Sequence, residues 1–349
     1  MDTEIYSRDD TLQKIDRIDF TVWSNPEILR GSALGKDTDG ITNAELYDNS
    51  EPKRGGLIDL RMGTTNESRD CDTCGLNYIY CIGHFGHLKL AEHVFHMGYL
   101  PFVKKILSCI CIRCSKLLIY KNENEILEML KNKSGRARLS EIRNLVKNVT
   151  YCQKTNYGCG APVSKIKLEI KKATCGITLY SETNIANLPK EEGVPTVGFG
   201  GDSKKKNKQI LTPGIVYDIL KGISDQDCII MGLDPTKTRP EEMVYKIFPI
   251  PPVAVRPSVR AEFMASSLME DDLTHKLADI IKANDRIAHQ NESEGASRFS
   301  QDNLHLLQYQ VASYLDSDYC NIPKSEQKGK VIKSLGPRLK GKEGRIWLF

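Results

Sequence analysis

The sequence predicts an α+β fold in which small sheets and an antiparallel helical hairpin are joined to tightly pinned, cysteine-rich loops. Three observations carry that expectation: paired cysteines crowded between Cys71 and Cys159, apolar–polar alternation over residues 163–180, and two apolar stripes at helical spacing between Leu273 and Tyr314. A hydrophobic content of 40% against 27% charged residues over 349 positions suits a globular chain with two or three cores.

The first fifty residues mix polar and apolar positions until Pro52 and Gly56 mark a turn, after which Leu57-Ile58-Asp59-Leu60-Arg61 reads as a short strand or extended stretch. Within the cysteine-rich region, residues 93–107 place Val94, Tyr99, Phe102 and Ile106 at helical spacing. Residues 125–130 and 139–149 are amphipathic as well, so helices should brace the loops. Ile166, Leu168 and Ile170 alternate with polar neighbours, as strands of a small sheet do. Lys204, Lys205, Lys206 and Lys208, behind Gly198, Gly200 and Gly201, read as a flexible exposed loop. Thr212-Pro213 supplies an N-cap and a first-turn proline for a helix reaching Leu220. Pro249, Pro251, Pro252 and Pro257 exclude helix and central strand, because proline lacks an N–H donor, and predict an ordered extended connector. Asp271 and Asp272 then precede Leu273, Leu277, Ile280 and Ile281, while Leu304, Leu307, Val311 and Tyr314 follow Ser300; these are the two arms of the hairpin. There is no internal repeat.

Cys71-x-x-Cys74 followed by Cys81-x-x-His84 offers three thiolates and an imidazole on two tight knuckles. Zn²⁺ favours this tetrahedral set, and four protein ligands leave no open position, so the site is expected to be structural. His87 could take the place of His84, which is preferred because its spacing mirrors the first knuckle. A second structural zinc site is expected on Cys111-x-x-Cys114 with Cys152 and Cys159, with Cys109 a competitor for the first position. Cys175, Cys228 and Cys320 are isolated and read as small buried hydrophobes. His93, His96, His275, His289 and His305 read as core or helix-surface residues.

A net charge of +4 is too small to argue for nucleic acid, but local clustering is not. Lys324, Lys328, Lys330, Lys333, Arg338, Lys340, Lys342 and Arg345 face only Glu326 and Glu343. Cations on a glycine-flexed segment can neutralise DNA phosphates without reading sequence, and Arg338, Lys340, Lys342 and Arg345 are the expected contacts; the alternative is a solvated basic tail. No apolar run approaches the roughly 20 residues of a membrane helix, and Met1-Asp2-Thr3-Glu4 does not begin a signal peptide, so an intracellular, membrane-free protein is expected.

These motifs resemble, in order, the N-terminal region of the largest subunit of eukaryotic-type, polymerase II-like, multisubunit DNA-directed RNA polymerase. Gly56-Leu57-Ile58-Asp59 with Arg61 and Gly63 looks like the segment before the family's zinc motif. That motif is matched by Cys71-Asp72-Thr73-Cys74 and Cys81-Ile82-Gly83-His84-Phe85-Gly86-His87. Arg239-Pro240-Glu241 and the run from Phe248 to Ser258 are similar to the proline-rich connector, Asp271 to Asn284 to the first clamp helix, and Arg338 to Arg345 to the switch region. The resemblance implies a clamp over DNA and the RNA–DNA hybrid, with zinc on the eight ligands already named. It implies a zinc-binding clamp core over residues 1–160 and a clamp head with connector over 161–260. Residues 261–349 would hold the lid after Pro257, the hairpin, the rudder near 319–330 and the start of the switch. The implied partners are the second-largest and small polymerase subunits, the remainder of the largest subunit, and initiation and elongation factors docking on the hairpin. The implied location is the nucleus, or cytoplasm or virion for a viral chain.

The family continues past Arg345-Ile346 to an Asn-Ala-Asp-Phe-Asp-Gly-Asp loop whose aspartates hold catalytic Mg²⁺, whereas this sequence ends in Trp347-Leu348-Phe349 without such a triplet. It therefore reads as a truncated fragment that does not polymerise nucleotides alone, nucleotidyl transfer being an activity of the complete polymerase. Glu270-Asp271-Asp272 reads as helix-start capping rather than as a replacement. The alternative function is a stand-alone structural zinc protein that binds nucleic acid or protein. A zinc ubiquitin ligase would need interleaved ligand pairs, whereas Cys71 to His84 is complete in itself.

Overall fold

The computed structural model describes residue 16 and residues 20–49, 51–119, 125, 128, 130–154, 158–171, 176–184, 206–261, 264–292, 299–316, 318, 326–327 and 330–340. Ser24 starts helix α1 (Asn25–Gly31) with a reciprocal cap, its hydroxyl accepting from the Glu27 N–H and its own N–H donating to the Glu27 carboxylate. β1 (Tyr47–Asp48) and β2 (Glu51–Pro52) form a minimal hairpin. Leu57–Arg61 is not the expected strand. Asp59 accepts from the Arg61 N–H and caps a 3₁₀ turn, Leu60–Met62, while its carboxylate pairs with the Arg61 guanidinium at 2.7 Å. A short acidic side chain that bonds its own backbone favours such a turn over extension.

β3 (Gly86–Phe95) is the element on which the rest is hung. It pairs antiparallel with β7 (Val244–Ile250), and the register shifts between Lys89 and Val94. The helix expected over 93–107 therefore begins only at α2 (Leu100–Leu107), since Val94 and Phe95 are bonded into the strand pair opposite Tyr245 and Val244. Gly40 lies against β3 so closely that a Cβ there would sit 2.1 Å from the His87 carbonyl oxygen, and its φ of +77° is one that L side chains rarely adopt. α3 (Gly135–Val146) follows. The alternation near 163–180 appears as β4 (Lys165–Lys171) and β5 (Gly176–Asn184), joined by β6 (Lys206–Leu211) in the antiparallel order β4-β5-β6. Lys206 and Lys208 are thus strand residues, not loop; pairing with Asn184 and Glu182 draws them into the sheet. Lys204 and Lys205 lie outside the described residues.

Thr212 caps α4 (Pro213–Lys221) as expected, and α5 (Asp225–Ile230) follows. One feature of the proline-rich run departs from expectation, the 3₁₀ turn at Val253–Val255. Pro249 lies in β7, which is tolerated because β7 has a strand partner on one side only. Val253–Val255 forms a 3₁₀ turn whose closing bond is donated by Val255 to the Pro252 carbonyl, a bond that requires no proline N–H. β8 (Val259–Ala261) and β9 (Met264–Met269) pair next. α6 (Asp272–Glu292) and α7 (Phe299–Asp316) then pack together, with Asn303 bonded to Gln290 at one end and the Lys276 ammonium donating to the Ser313 carbonyl at 2.8 Å towards the other. β10 (Glu326–Gln327), β11 (Lys330–Val331) and α8 (Leu335–Leu339) complete the described chain. The result is mixed helix and sheet, with sheets of two or three strands. No helix among the described residues is long and apolar enough to cross a membrane.

Two apolar clusters hold these elements. One joins Leu34, Ile41, Leu57 and Met62 to β3, β7 and the buried stripes of α6 and α7; the other joins α2, α3, α4, α5 and the inner face of β4-β5-β6. Two amides tie the helix pair to β3. Asn284 accepts from Ala91 N–H and donates to the Lys89 carbonyl, filling the register shift, and Gln308 accepts from and donates to the Phe95 backbone. Such bonds leave no peptide group stranded where the ladder is interrupted.

His96 packs between Tyr99 and Tyr245, at 4.4 and 5.1 Å between ring centroids, and its Nδ1 accepts from the Gly98 N–H. Burial pulls its pKa from 6.5 down to about 4. The unfolded chain binds more protons than the folded one between those values, so this stability is present above pH 6.5 and lost as pH falls towards 4. The full effect is up to about 3 kcal/mol. His96→Gln is expected to flatten the difference in urea midpoint between pH 7.5 and pH 5 relative to the parent; equal pH dependence would refute the assignment.

Candidate metal centres and basic segment

Cys71 opens a turn in which the Gly75 N–H donates to the Cys71 carbonyl at 2.8 Å and the Cys71 N–H to the Leu76 carbonyl at 2.9 Å. Cys111 repeats it bond for bond: Ser115 N–H to Cys111 carbonyl and Cys111 N–H to Lys116 carbonyl, both 2.8 Å. Gly75 at φ +67° and Ser115 at φ +57° turn the chain back in each case. Serine at this φ is uncommon, which is why the second turn is less obvious from sequence.

Each knuckle meets a second ligand pair. Cys81 donates its N–H to the Asn77 carbonyl and His84 to the Met62 carbonyl, with Gly83 between them at φ +81° and pressed on Pro252. Cys152 donates to the Ala161 carbonyl, closing a loop that brings Cys159 round beside it. The ligand atoms of Cys71, Cys74, Cys81 and His84 lie within 4.8 Å of one another, and so do those of Cys111, Cys114, Cys152 and Cys159. In the second cluster Cys111 and Cys159 sulfurs are 3.6 Å apart and Cys114 and Cys152 sulfurs 3.7 Å; in the first, Cys81 Sγ is 3.9 Å from His84 Nε2. A zinc–thiolate bond of about 2.3 Å gives a tetrahedron with edges of about 3.8 Å. A disulfide would need about 2.05 Å. Both clusters could therefore hold a four-coordinate metal ion.

Burial pushes the Cys81 thiol up to about 11 and that of Cys111 up to about 12, whereas the His84 ring beside exposed Cys74 brings it down to about 7. Burial also raises Cys152 and presses Cys159 upward, but for Cys159 the Ala161 N–H and the neighbouring thiols outweigh it and the net shift is down. Four crowded sulfurs cannot all ionise unaided, and a bound dication deprotonates coordinating thiols.

His87 is not the alternative ligand. It is fully buried in β3, with Nδ1 bonded to the Ser32 hydroxyl at 2.7 Å and Nε2 to the Thr38 carbonyl. Cys109 is buried in the larger core outside both clusters, its thiol pushed up to about 12 by burial, and Cys228 is buried on α5. Cys175 and Cys320 lie outside the described residues. None of His93, His96, His275, His289 and His305 joins a ligand cluster among the described residues.

The basic segment is only partly described. Arg338, on α8, is half-buried and its guanidinium bonds the Asp271 carboxylate at 2.9 Å, while Lys340 is exposed. Lys342 and Arg345 lie outside the described residues. Asp271 also accepts from the Leu273 N–H as a cap, Asp272 from the Lys333 N–H, and Glu270 from the Tyr47 and Ser258 hydroxyls. Asp271 thus caps the helix start as expected, whereas Glu270 and Asp272 bond neighbouring segments. Sequence reasoning missed Arg256, which is buried and donates to Leu57, Pro251 and Thr274; the Arg-Pro after the connector carries no signal of that role.

Collinear cysteine knuckles, the 3₁₀ turn before them, the connector and the long helix pair define a class: the chain belongs to the family described as RNA polymerase Rpb1, domain 1, which matches residues 12–347. Among its relatives is the DNA-directed RNA polymerase subunit 1 of Acanthamoeba polyphaga mimivirus, 49% identical over 347 residues. That match covers 98% of this chain and 22% of the viral subunit, so the chain corresponds to an N-terminal part of a largest subunit and spans under a quarter of its relative's length.

Proposed function

We propose that the chain is the zinc-stabilised clamp portion of a DNA-directed RNA polymerase, holding DNA and the RNA–DNA hybrid while nucleotidyl transfer with Mg²⁺ belongs to the complete enzyme. The observation that carries this reading is the pair of four-ligand clusters on knuckles of one design, set on motifs in the family's order. Thiolates from two tight turns suit Zn²⁺ over oxygen-seeking cations. Cys71, Cys74, Cys81 and His84 would hold one ion and Cys111, Cys114, Cys152 and Cys159 the other. Each would act by fixing loops.

In this reading residues 1–160 are the zinc-bearing clamp core, 161–260 the clamp head with its connector, and 261–349 the lid, helical hairpin, rudder and start of the switch. α6 and α7 form the hairpin on which initiation and elongation factors dock. Arg338, Lys340, Lys342 and Arg345 face the template backbone, Arg338 also bracing the segment through Asp271. Lys340→Ala with Lys342→Ala is expected to weaken binding about equally for all DNA sequences and to reduce its salt dependence; altered base preference would contradict phosphate contact. The partners are the rest of the largest subunit, the second-largest subunit and the small subunits. The setting is the nucleus, or cytoplasm or virion if the chain is virus-encoded.

Co-expression with a second-largest subunit tests the reading. A complex that co-purifies, with zinc in both clusters by elemental analysis, is the expected result. A metal-free chain that remains alone would overturn it.

A further inference from the structure

We propose that a groove between the C-terminal end of α3 and strand β4, with Glu182 of β5 at its side, binds single-stranded nucleic acid through its phosphodiester backbone. It lies beside the second cysteine cluster and has a volume of about 1000 Å³. That is the upper end of the range for small-molecule sites, and the groove is only partly enclosed.

Its charge is one-sided. Arg143 in the last turn of α3 and Lys147, the residue that caps its C-terminal end, are both exposed, and Lys165 and Lys167 project from β4 while the intervening Ile166 is buried. Glu182 is the one acid among the described lining residues. It is 8% exposed, with its carboxylate 2.8 Å from the Lys167 ammonium and 4.0 Å from that of Lys208. The carboxylate is therefore shielded from solvent by the lysines it orients, and the surface that a ligand meets remains cationic.

Outside the groove's own lining, the register places an aromatic ring on the adjoining sheet face. Lys165, Glu182 and Lys208 stand side by side across the three strands, and Lys167, Tyr180 and Ile210 form the next row. Cross-strand neighbours share a face. The Lys208 ammonium sits over the half-buried Tyr180 ring, 4.8 Å from its centre, so a base that stacks on this ring displaces the ammonium toward its own phosphates. Lysines tracking a backbone beside a ring on which a base can stack is the arrangement by which proteins hold single strands without reading sequence. A duplex keeps its bases stacked on each other, and an acidic peptide would use the cations but not the ring. Neither uses the whole surface. The groove is separate from the basic segment around Lys340, so the inference goes beyond the template contacts proposed above.

The test uses the zinc-loaded 349-residue chain and fluorescence anisotropy with labelled oligo-dT, oligo-U and a duplex of equal length over a range of salt. Arg143→Gln/Lys147→Gln/Lys165→Gln changes only exposed side chains, and circular dichroism melting confirms that it folds. It is expected to lose at least tenfold in single-strand affinity and to flatten the log–log salt slope by about 2. Tyr180→Leu should lose affinity with the slope unchanged, and a photoactivatable thiouridine strand should crosslink to the peptide containing Tyr180. The oligo-dT and oligo-U arms identify whether DNA or RNA is preferred. Unchanged affinity and slope in the triple variant, tighter binding of the duplex, or capture of polyglutamate in place of the strand would each overturn the proposal. The Lys340→Ala/Lys342→Ala variant is the control: a loss there alone refutes the groove and leaves the template contacts standing.

Discussion

Replacing Cys111 with serine is expected to remove one zinc ion per chain and to unfold the larger of the two cores at 25 °C. Cys111 and Cys152 are 3% and 4% exposed and belong to the same apolar cluster as α2, α3, α4 and the inner sheet face, so the second cysteine cluster is anchored in a core on that side. Structural zinc binding contributes roughly 10–16 kcal/mol in small zinc domains, against total stabilities of about 5–15 kcal/mol. Most of that is lost with one thiolate, and the three sulfurs left behind repel one another. The first site should respond differently. Cys71 and Cys81 are buried but belong to neither core, and Ile79, Tyr80 and Ile82 beside them are 64%, 67% and 87% exposed. Cys71→Ser should therefore lose its ion and loosen residues 71–84 while β3, β7 and the helix pair keep their protection. Elemental analysis and hydrogen exchange mapped by peptide check both variants. If Cys111→Ser keeps both ions, or melts with the parent, the second cluster is not a structural metal site.

That asymmetry was not visible in the residues, although the membership of the two clusters was. Cysteine spacing is a local property tied to chemistry, so the side chains that cluster could be read from short motifs even where a long gap separates Cys114 from Cys152. What a knuckle packs against is not local. The same limit explains the misread strand. Val94, Tyr99, Phe102 and Ile106 fit a helix as a string, but Val94 pairs with Tyr245, a partner about 150 residues away that no window contains. Asp59 and the lysines of β6 were misread for related reasons, one by a self-capping turn and the other by a strand partner in β5. The helix stripes were legible because apolar periodicity directly encodes a buried face. The polar residues within those helices were not: Asn284 and Gln308 look like surface amides until β3 is placed beneath them.

Arg256 is the extreme case of such a residue, and Arg256→Ala is expected to destabilise the chain by roughly 3–5 kcal/mol. The side chain is 1% exposed, and its guanidinium donates to the Leu57 carbonyl, to the Pro251 carbonyl at 3.2 Å and to the Thr274 hydroxyl at 3.3 Å. One group thereby joins the turn before the first knuckle, the proline-rich connector and the first turn of α6. Burial pulls its pKa down to about 10, so it remains charged near neutral pH and its desolvation is offset by those acceptors. Truncation would leave a cavity and two buried carbonyls without donors. Lysine should not rescue, because a single ammonium on a flexible stem cannot reproduce three donors fixed in one plane. Methionine separates the contributions: it restores volume but no donor, so a Met variant as unstable as the alanine variant assigns the loss to hydrogen bonding. Urea midpoints measure the size of the effect, and hydrogen exchange at residues 57–62, 251–257 and 272–277 locates it. A loss below about 1 kcal/mol in the alanine variant would mean that water replaces the guanidinium without strain, and that the connector is held to α6 by its apolar contacts alone.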